Sequence, residues 1–225
     1  MTNCGASSVV ERPSDQMEDE GSTPIAPLQF DSTWRKSCRV EVVQRSDIDS
    51  FIKTHYIGRW PGVCVLVLGM KHHTVMDANV RRQADGSFAR LCGGIVFALP
   101  PRETAKRYGG VTWELARLWI EDKVPSNAET WLIAQAVRYI RKHRPEVQTL
   151  VSYADPSVGH QGTVYKAANW VADGRTDDER KSPRFDYADA VTGKKYSRRS
   201  HVPESVTIKR VPRISKHRFI YRMHK

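Results

Sequence analysis

The chain has 225 residues, 40% of them apolar and 9% aromatic, enough for one ordinary domain with its own core and tails. No run of about 18 apolar residues occurs, so no membrane-spanning helix is predicted. The N-terminus does not read as a secretory signal, and Cys4, Cys38, Cys64 and Cys92 form no CxxC pair, which argues against a zinc ribbon or disulfide framework and fits a reducing cytoplasm.

The net charge of +11 is unevenly placed. Glu11, Asp15, Glu18, Asp19, Glu20 and Asp31 face only Arg12 in the first 32 residues, a local charge of −5. From Lys194 to Lys225, eleven Lys and Arg face the single Glu204, which is +10. A basic block of this kind is the footprint of a polyanion binder, because neutralising phosphates releases condensed counterions. Interleaved Tyr196, Phe219 and Tyr221 add surfaces on which bases stack. A solvated, solubilising surface is the alternative reading.

In chain order, residues 1–37 read as a disordered acidic leader, too poor in apolar residues to offset ordering entropy. The domain is placed at 38–225. Arg39–Val43 is a short strand, and Asp47 is the N-cap candidate of a helix through Phe51, Ile52 and His55 that Gly58 and Pro61 end. Cys64–Leu68 is a continuous apolar run, hence a buried strand. His72 to Arg90 is polar and holds Asp85-Gly86, a hairpin signal. Gly93–Leu99 is the next strand. A loop with Pro100, Pro101, Gly109 and Gly110 leads to Thr112–Ile120, which alternates as a half-buried strand does. Ser126 and Asn127 are cap candidates for a helix over Thr130–His143, whose Trp131, Ile133, Ala134, Val137 and Ile140 follow a helical period. Val147–Tyr153 is an apolar strand closing on Ala154-Asp155-Pro156. A short helix over Thr163–Asn169 and a strand over Trp170–Arg175 follow. After a charged insertion from Thr176 to Arg199, Ser205–Val211 and Lys216–Arg222 are predicted to pair as a basic closing hairpin. This order predicts an α/β fold with a mixed sheet in a single domain.

That element order resembles the GCN5-related N-acetyltransferase fold, in which a strand like Glu114–Ile120 splays from its neighbour to open a slot for acyl-CoA. The helix after it offers its N-terminal amides to the pyrophosphate. On this resemblance Arg117, Ser126 and Asn127 are cofactor-binding candidates. A more specific resemblance is to the phage Mom family of adenine methylcarbamoylation proteins. It is carried by Phe51–Tyr56, the strand around Arg117, Pro125–Trp131, the run Tyr153–Ala167 with its Asp155-Pro156-Ser157-Val158-Gly159-His160-Gln161-Gly162 core, and Lys216–Tyr221. The resemblance implies a DNA-modification enzyme that acts in the cytoplasm of the bacterial host. It would convert adenine in double-stranded DNA to an N6-carbamoylmethyl derivative and shield that DNA from restriction. A small-molecule group donor, acetyl-CoA and iron are implied as partners and cofactors. It also carries metal and catalytic roles onto His55, Tyr56, Asp155 and Tyr165.

The residues have readings of their own. Asp155 lies just past the C-terminal end of a buried strand, the usual place for a site in an α/β sheet; it also suits a turn cap. Tyr165 is equally a core aromatic, and His55 a helix C-terminal cation. Arg117 either aims its fork at a phosphate or carboxylate or snorkels to solvent. His160 is a general-base candidate by its closeness to Asp155. Lys194, Lys195, Arg198, Arg199, Lys209 and Arg210 are the predicted DNA contacts. Trp113, Tyr56 and Trp170 are candidate platforms for an adenine flipped out of the stack. Three other classes compete. An adenine methyltransferase is opposed by the absence of a GxG loop and of an Asp-Pro-Pro-Tyr motif. A conventional acetyltransferase fits the fold but meets Glu121–Ala128, which has no glycine. A non-catalytic DNA-binding module accounts for the charge alone.

Overall fold

The computed structural model describes residue 30 and residues 32–73, 90–178, 180–196 and 201–223. Two sheets organise them. The larger is built from β1 (Cys38–Val42), β2 (Cys64–His72), β3 (Arg90–Ala98), β4 (Val111–Ile120), β5 (Val147–Ala154), β6 (Val171–Arg175) and β10 (His217–Arg222), in the spatial order β1-β2-β3-β4-β5-β10-β6. A small sheet holds β7 (Phe185–Asp189), β8 (Lys195–Tyr196) and β9 (Ile208–Pro212), with β7 in the middle. The fold is therefore the mixed α/β one that the element order predicts.

The apolar runs set the layers. β2 and β3 are buried on both faces, as their unbroken Val/Leu/Ile sequences require. On one face lies α4 (Ala128–His143), which buries Leu132, Ile133, Ala136, Val137 and Ile140 against the sheet. The Leu, Ile and Val side chains contribute about 1.5–3 kcal/mol each on burial. On the other face a 3₁₀ turn (Arg45–Ile48) and α2 (Asp49–Thr54) set Ile48 and Ile52 against Val43, Val67 and Val96.

β4 and β5 form a parallel pair, and they part early. Their register runs from Val111–Glu114 against Val147–Val151 and then stops. β4 continues along β3 to Ile120, but a bulge at Ala116 interrupts that ladder. A bulge bends its strand and increases its twist, so the second half of β4 swings away from β5. The Leu115 carbonyl, left without a β5 partner, is met by the Ser152 hydroxyl at 2.8 Å.

Several expectations change. Trp34, assigned to the leader, is buried (4% exposed) in α1 (Trp34–Ser37), its ring edge-on to Trp131; residues 1–29 and 31 lie outside the described residues, as does Asp85-Gly86. Asp47 is not an N-cap: it sits at the third position of the 3₁₀ turn and accepts from the Gln44 amide at 2.9 Å. The loop after Pro101 contains α3 (Arg102–Tyr108). Asn127 does cap α4 by position, in the left-handed region (φ 71°), but neither it nor Ser126 supplies a side-chain cap.

The predicted C-terminal hairpin is not formed. β9 pairs with β7 in the small sheet, while β10 runs between β5 and β6, antiparallel to both. Burial separates the two strands. β10 carries Arg218 and Phe219, both buried although consecutive side chains face opposite sides, so it belongs in an interior position. Ile208, Lys209 and Arg210 of β9 are exposed, which suits an edge. The charged insertion also contributes β7 and β8.

Candidate active site

The gap between the diverging halves of β4 and β5 is a cavity of about 500 Å³. Glu114 to Ile120 of β4 form one wall, and Tyr153 and Ala154 of β5 the other. His55 and Tyr56 close one side, where the chain leaves α2 in extended conformation at His55. The loop Gly159–Gly162 and the start of α5 (Thr163–Ala167) close another.

Glu114 is the last β4 residue paired with β5, so its carboxyl sits at the floor of the gap. Burial pushes its pKa up to about 7, although Arg117 and Lys216 pull in the opposite direction. His55 is driven the other way: burial, with Arg117 and His160 nearby, lowers it to about 4. Its ring is therefore neutral near pH 7. The Ile57 amide donates to His55 Nδ1 at 3.1 Å, which leaves the ring proton on Nε2. Tyr56 packs against His55 with ring centroids 4.4 Å apart and edge-on to His160 at 5.1 Å. Burial holds its phenol above the ordinary value.

Tyr165 rises from α5 to place its hydroxyl 2.8 Å from Ser152 Oγ. Burial pushes its pKa up to about 12, so it is a neutral phenol. The Leu115 carbonyl only accepts, so the single Ser152 hydrogen is directed there and Tyr165 supplies the hydrogen between the two hydroxyls. Phe219 and Trp170 hold the ring at centroid distances of 5.3 and 5.5 Å.

Arg117 is buried (7% exposed). Its Nε and Nη2 donate to the Arg59 carbonyl at 3.1 and 2.6 Å, and Nη1 donates to the Ala116 carbonyl. The guanidinium thus ties the loop after α2 to the wall of the cavity, and those three N–H groups are not aimed at a ligand. Asp155 lies outside the cavity lining. It caps a 3₁₀ turn (Pro156–Val158), taking the Ser157 amide at 3.0 Å and the Ser157 hydroxyl at 2.6 Å on Oδ1, and pairs with Lys216 at 2.9 Å on Oδ2. Burial would raise its pKa, but the Ser157 and Lys216 hydrogen bonds outweigh burial and hold it below the usual value. His160 is exposed and lines the cavity. Of the three aromatic platforms, Trp113 and Trp170 are core residues (6% and 4% exposed), while Tyr56 (47% exposed) faces the cavity.

Of the four implied metal ligands, His55, Tyr56 and Tyr165 line the cavity and Asp155 does not. Asp155 is spent on its turn and on Lys216, Tyr165 is hydrogen-bonded to Ser152, and His55 Nδ1 is occupied. Among the described residues no group of three or more His, Cys, Asp or Glu is placed to hold a metal ion. With Asp155 and Tyr165 held by protein partners, the His55 Nε2 and the Tyr56 hydroxyl are what remain of the four to face a ligand, too few for an iron site. The acyl-CoA cradle fares no better. Ser126 and Asn127 are exposed and outside the cavity lining; the first turn of α4 presents Glu129 to it instead. A carboxylate there occupies the place that a helix N-terminus offers to an anion.

The predicted DNA contacts sit on the small sheet. Lys194 lies 5.6 Å over the Tyr196 ring, Arg210 lies 4.4 Å over Phe185, and Lys195 and Lys209 both pair with Ala188. Arg198 and Arg199 lie outside the described residues. Sequence reasoning missed Glu114, Lys216 and Ser152. A carboxylate between Trp113 and Leu115 in an apolar strand was the available signal for the first.

The site is thus that of a mixed α/β protein whose parallel central strand pair opens onto a cavity lined by titratable groups. The family model of the Mom protein family matches residues 37–225, and the chain belongs to that family. A 57-residue stretch is 40% identical to the methylcarbamoylase Mom of Escherichia phage Mu, covering 25% of this chain and 24% of that relative. Among solved structures, Arabidopsis thaliana NAA60 in complex with acetyl-CoA overlays with a TM-score of 0.46 at 10% identity, covering 82% of this chain and 98% of that one. A putative GNAT-family acetyltransferase from Desulfovibrio desulfuricans gives 0.44 at 9%, covering 83% and 98%. Among the described residues no helix is long and apolar enough to cross a membrane.

Proposed function

We propose that this protein is a transferase that carbamoylmethylates the N6 amine of adenine in DNA and so protects that DNA from restriction. Family membership and the name of the phage Mu relative support the reaction class. The observation that carries the reading to this chain is the cavity between β4 and β5, with the Glu114 carboxyl poised near pH 7 at its floor.

The chemistry asks for such a group. The adenine N6 lone pair is delocalised into the ring, so the amine is a weak nucleophile. It gains strength as its proton is taken while the new C–N bond forms. Glu114, about half ionised at neutral pH, is matched to that task as a general base. The proton passes to the Glu114 carboxylate, and the donor's leaving group departs with the electron pair of the broken bond. His55 stays neutral and offers its Nε2–H to the reacting centre, while Tyr56 gives the flipped base an exposed ring to lie against. Plain acetyl transfer would leave an acetamide on N6, so the donor is a small molecule that delivers the CH₂–CO–NH₂ group itself. No step is assigned to iron or to acyl-CoA.

The test is mass spectrometry of nucleosides from plasmid DNA of cells expressing the protein, beside the Glu114→Gln variant. The expected result is a deoxyadenosine heavier by a carbamoylmethyl group, reduced about 100-fold or more by the substitution. Unmodified DNA from folded wild-type protein overturns the reading.

A further inference from the structure

A second concave site lies away from the β4–β5 cavity. It is a groove of about 490 Å³ where the outer face of α4 meets α1 and the β1 edge. Arg35, Arg39, Arg138 and Lys142 line it, Trp131 and Tyr139 form its aromatic part, and no acidic residue is among its lining. Arg39 is answered by Glu41 at 3.0 Å, and Glu41 also pairs with Lys71. No Asp or Glu ion pair is recorded for Arg35, Arg138 or Lys142 among the described residues; Arg35 rests over the Trp34 ring at 5.1 Å instead. Cations gathered around one concavity repel one another, and an anion relieves that repulsion.

The charge of the groove suits a polyanion, and α4 connects it to the cavity. Its first turn puts Glu129 on the wall of the cavity, and the same helix carries Arg138 and Lys142 into the groove. At about 1.5 Å per residue, Arg138 lies about 14 Å along the helix from Glu129. That is about four base-pair steps of duplex at about 3.4 Å each. Nine residues at about 100° each also put Arg138 on the opposite side of α4 from Glu129, so the groove takes phosphates of the duplex away from the base that enters the cavity.

We infer that this groove is a phosphate-binding site for the DNA backbone, with Arg35, Arg138 and Lys142 as its contacts. The inference rests on the proposed function for the source of the phosphate, not for the groove's charge. Contacts of this kind position the duplex without reading its sequence.

The experiment measures binding of a fluorescent 16-base-pair duplex over a range of salt concentrations, for the wild type and for Arg138→Gln/Lys142→Gln. Both side chains are exposed, so the variant is expected to fold; matching thermal midpoints confirm it. The expected result is an affinity at least tenfold lower at about 0.1 M salt. The slope of log K against log salt should be smaller by about two, since each phosphate contact contributes about 0.9. The loss should be equal for duplexes of different sequence. An unchanged slope and affinity overturn the site. So does a result in which ADP or inorganic pyrophosphate binds the wild type and not the variant while duplex binding is unaffected, which assigns the groove to a free nucleotide. Nucleoside mass spectrometry on the same proteins separates the two ideas. A changed slope with unmodified DNA keeps the groove and removes the adenine reaction; an unchanged slope with modified DNA does the reverse.

Discussion

Glu114 shows how a residue's chemistry arises from its surroundings. Its pKa near 7 comes from burial, which outweighs Arg117 on its own strand and Lys216 before β10. Tyr153 on β5 and Tyr165 on α5 face it as neutral groups whose pKa values it raises. Because the folded value lies above the unfolded 4.5, folding favours the protonated form. No penalty exists below about pH 4.5, where both states are protonated. It grows as pH rises through 7 and is complete above about 8. Glu114→Gln removes the ionisation. The variant is expected to match the wild type near pH 4 and to exceed it by on the order of 2 kcal/mol at pH 8.5. Urea unfolding at the two pH values checks this, and equal gains at both would remove the burial explanation. The same titration predicts wild-type modification rates that climb through about pH 7. Stability gained with activity lost is the expected trade at a site that holds a strained charge.

At the scale of elements, the structure turns on β10. The strand completes the sheet between β5 and β6, and Phe219 packs beneath the loop that begins α5. Gly162 makes that approach possible. Its φ is +74°, and a Cβ there would come within 2.2 Å of the Phe219 ring. Gly162→Ala therefore meets two costs, a left-handed backbone for an alanine and a clash in a packed core, together about 2 kcal/mol or more. Pairing it with Phe219→Leu should recover part of the loss, giving a coupling energy that a double-mutant cycle in urea resolves. Additive losses would show that the two positions do not meet. This contact also explains what the sequence hides. β4, β5 and α4 were legible because their apolar periods are long and unbroken. β9 and β10 are short, similar strands close in sequence, and the local rule pairs such strands as a hairpin. Only the burial of both Arg218 and Phe219, a tertiary fact, distinguishes the inserted strand from the edge strand. The site followed the same rule. His55, Tyr56 and Tyr165, singled out by the family resemblance, and His160, singled out by its closeness to Asp155, reach the cavity lining, whereas Asp155 reads like a site residue in sequence and caps a turn in the fold. Glu114 became visible only when the strands parted.

Among the described residues, positive charge gathers on two separate surfaces besides the cavity. One is the groove beside α4; the other is the small sheet, with Lys195 and Lys209 on one face and Lys194 and Arg210 among the rings of the other. Lys216 connects the second to the chemistry, since it lines both the cavity and the neighbouring hollow that Lys195 also lines. If one duplex spans the molecule, both surfaces hold it at once. Lys195→Gln/Lys209→Gln should then weaken duplex binding and lower the salt slope by about two, as the groove substitutions do. The two surfaces share no side chain, so the quadruple variant should lose the sum of the two free energies to within about 0.5 kcal/mol, and its slope should fall by about four. Double variants that each lose about twofold or less, with a quadruple variant that loses far more than their sum, would mean that the duplex uses one surface at a time. Binding would then be a choice between two modes, and a single duplex would not be clamped across the cavity.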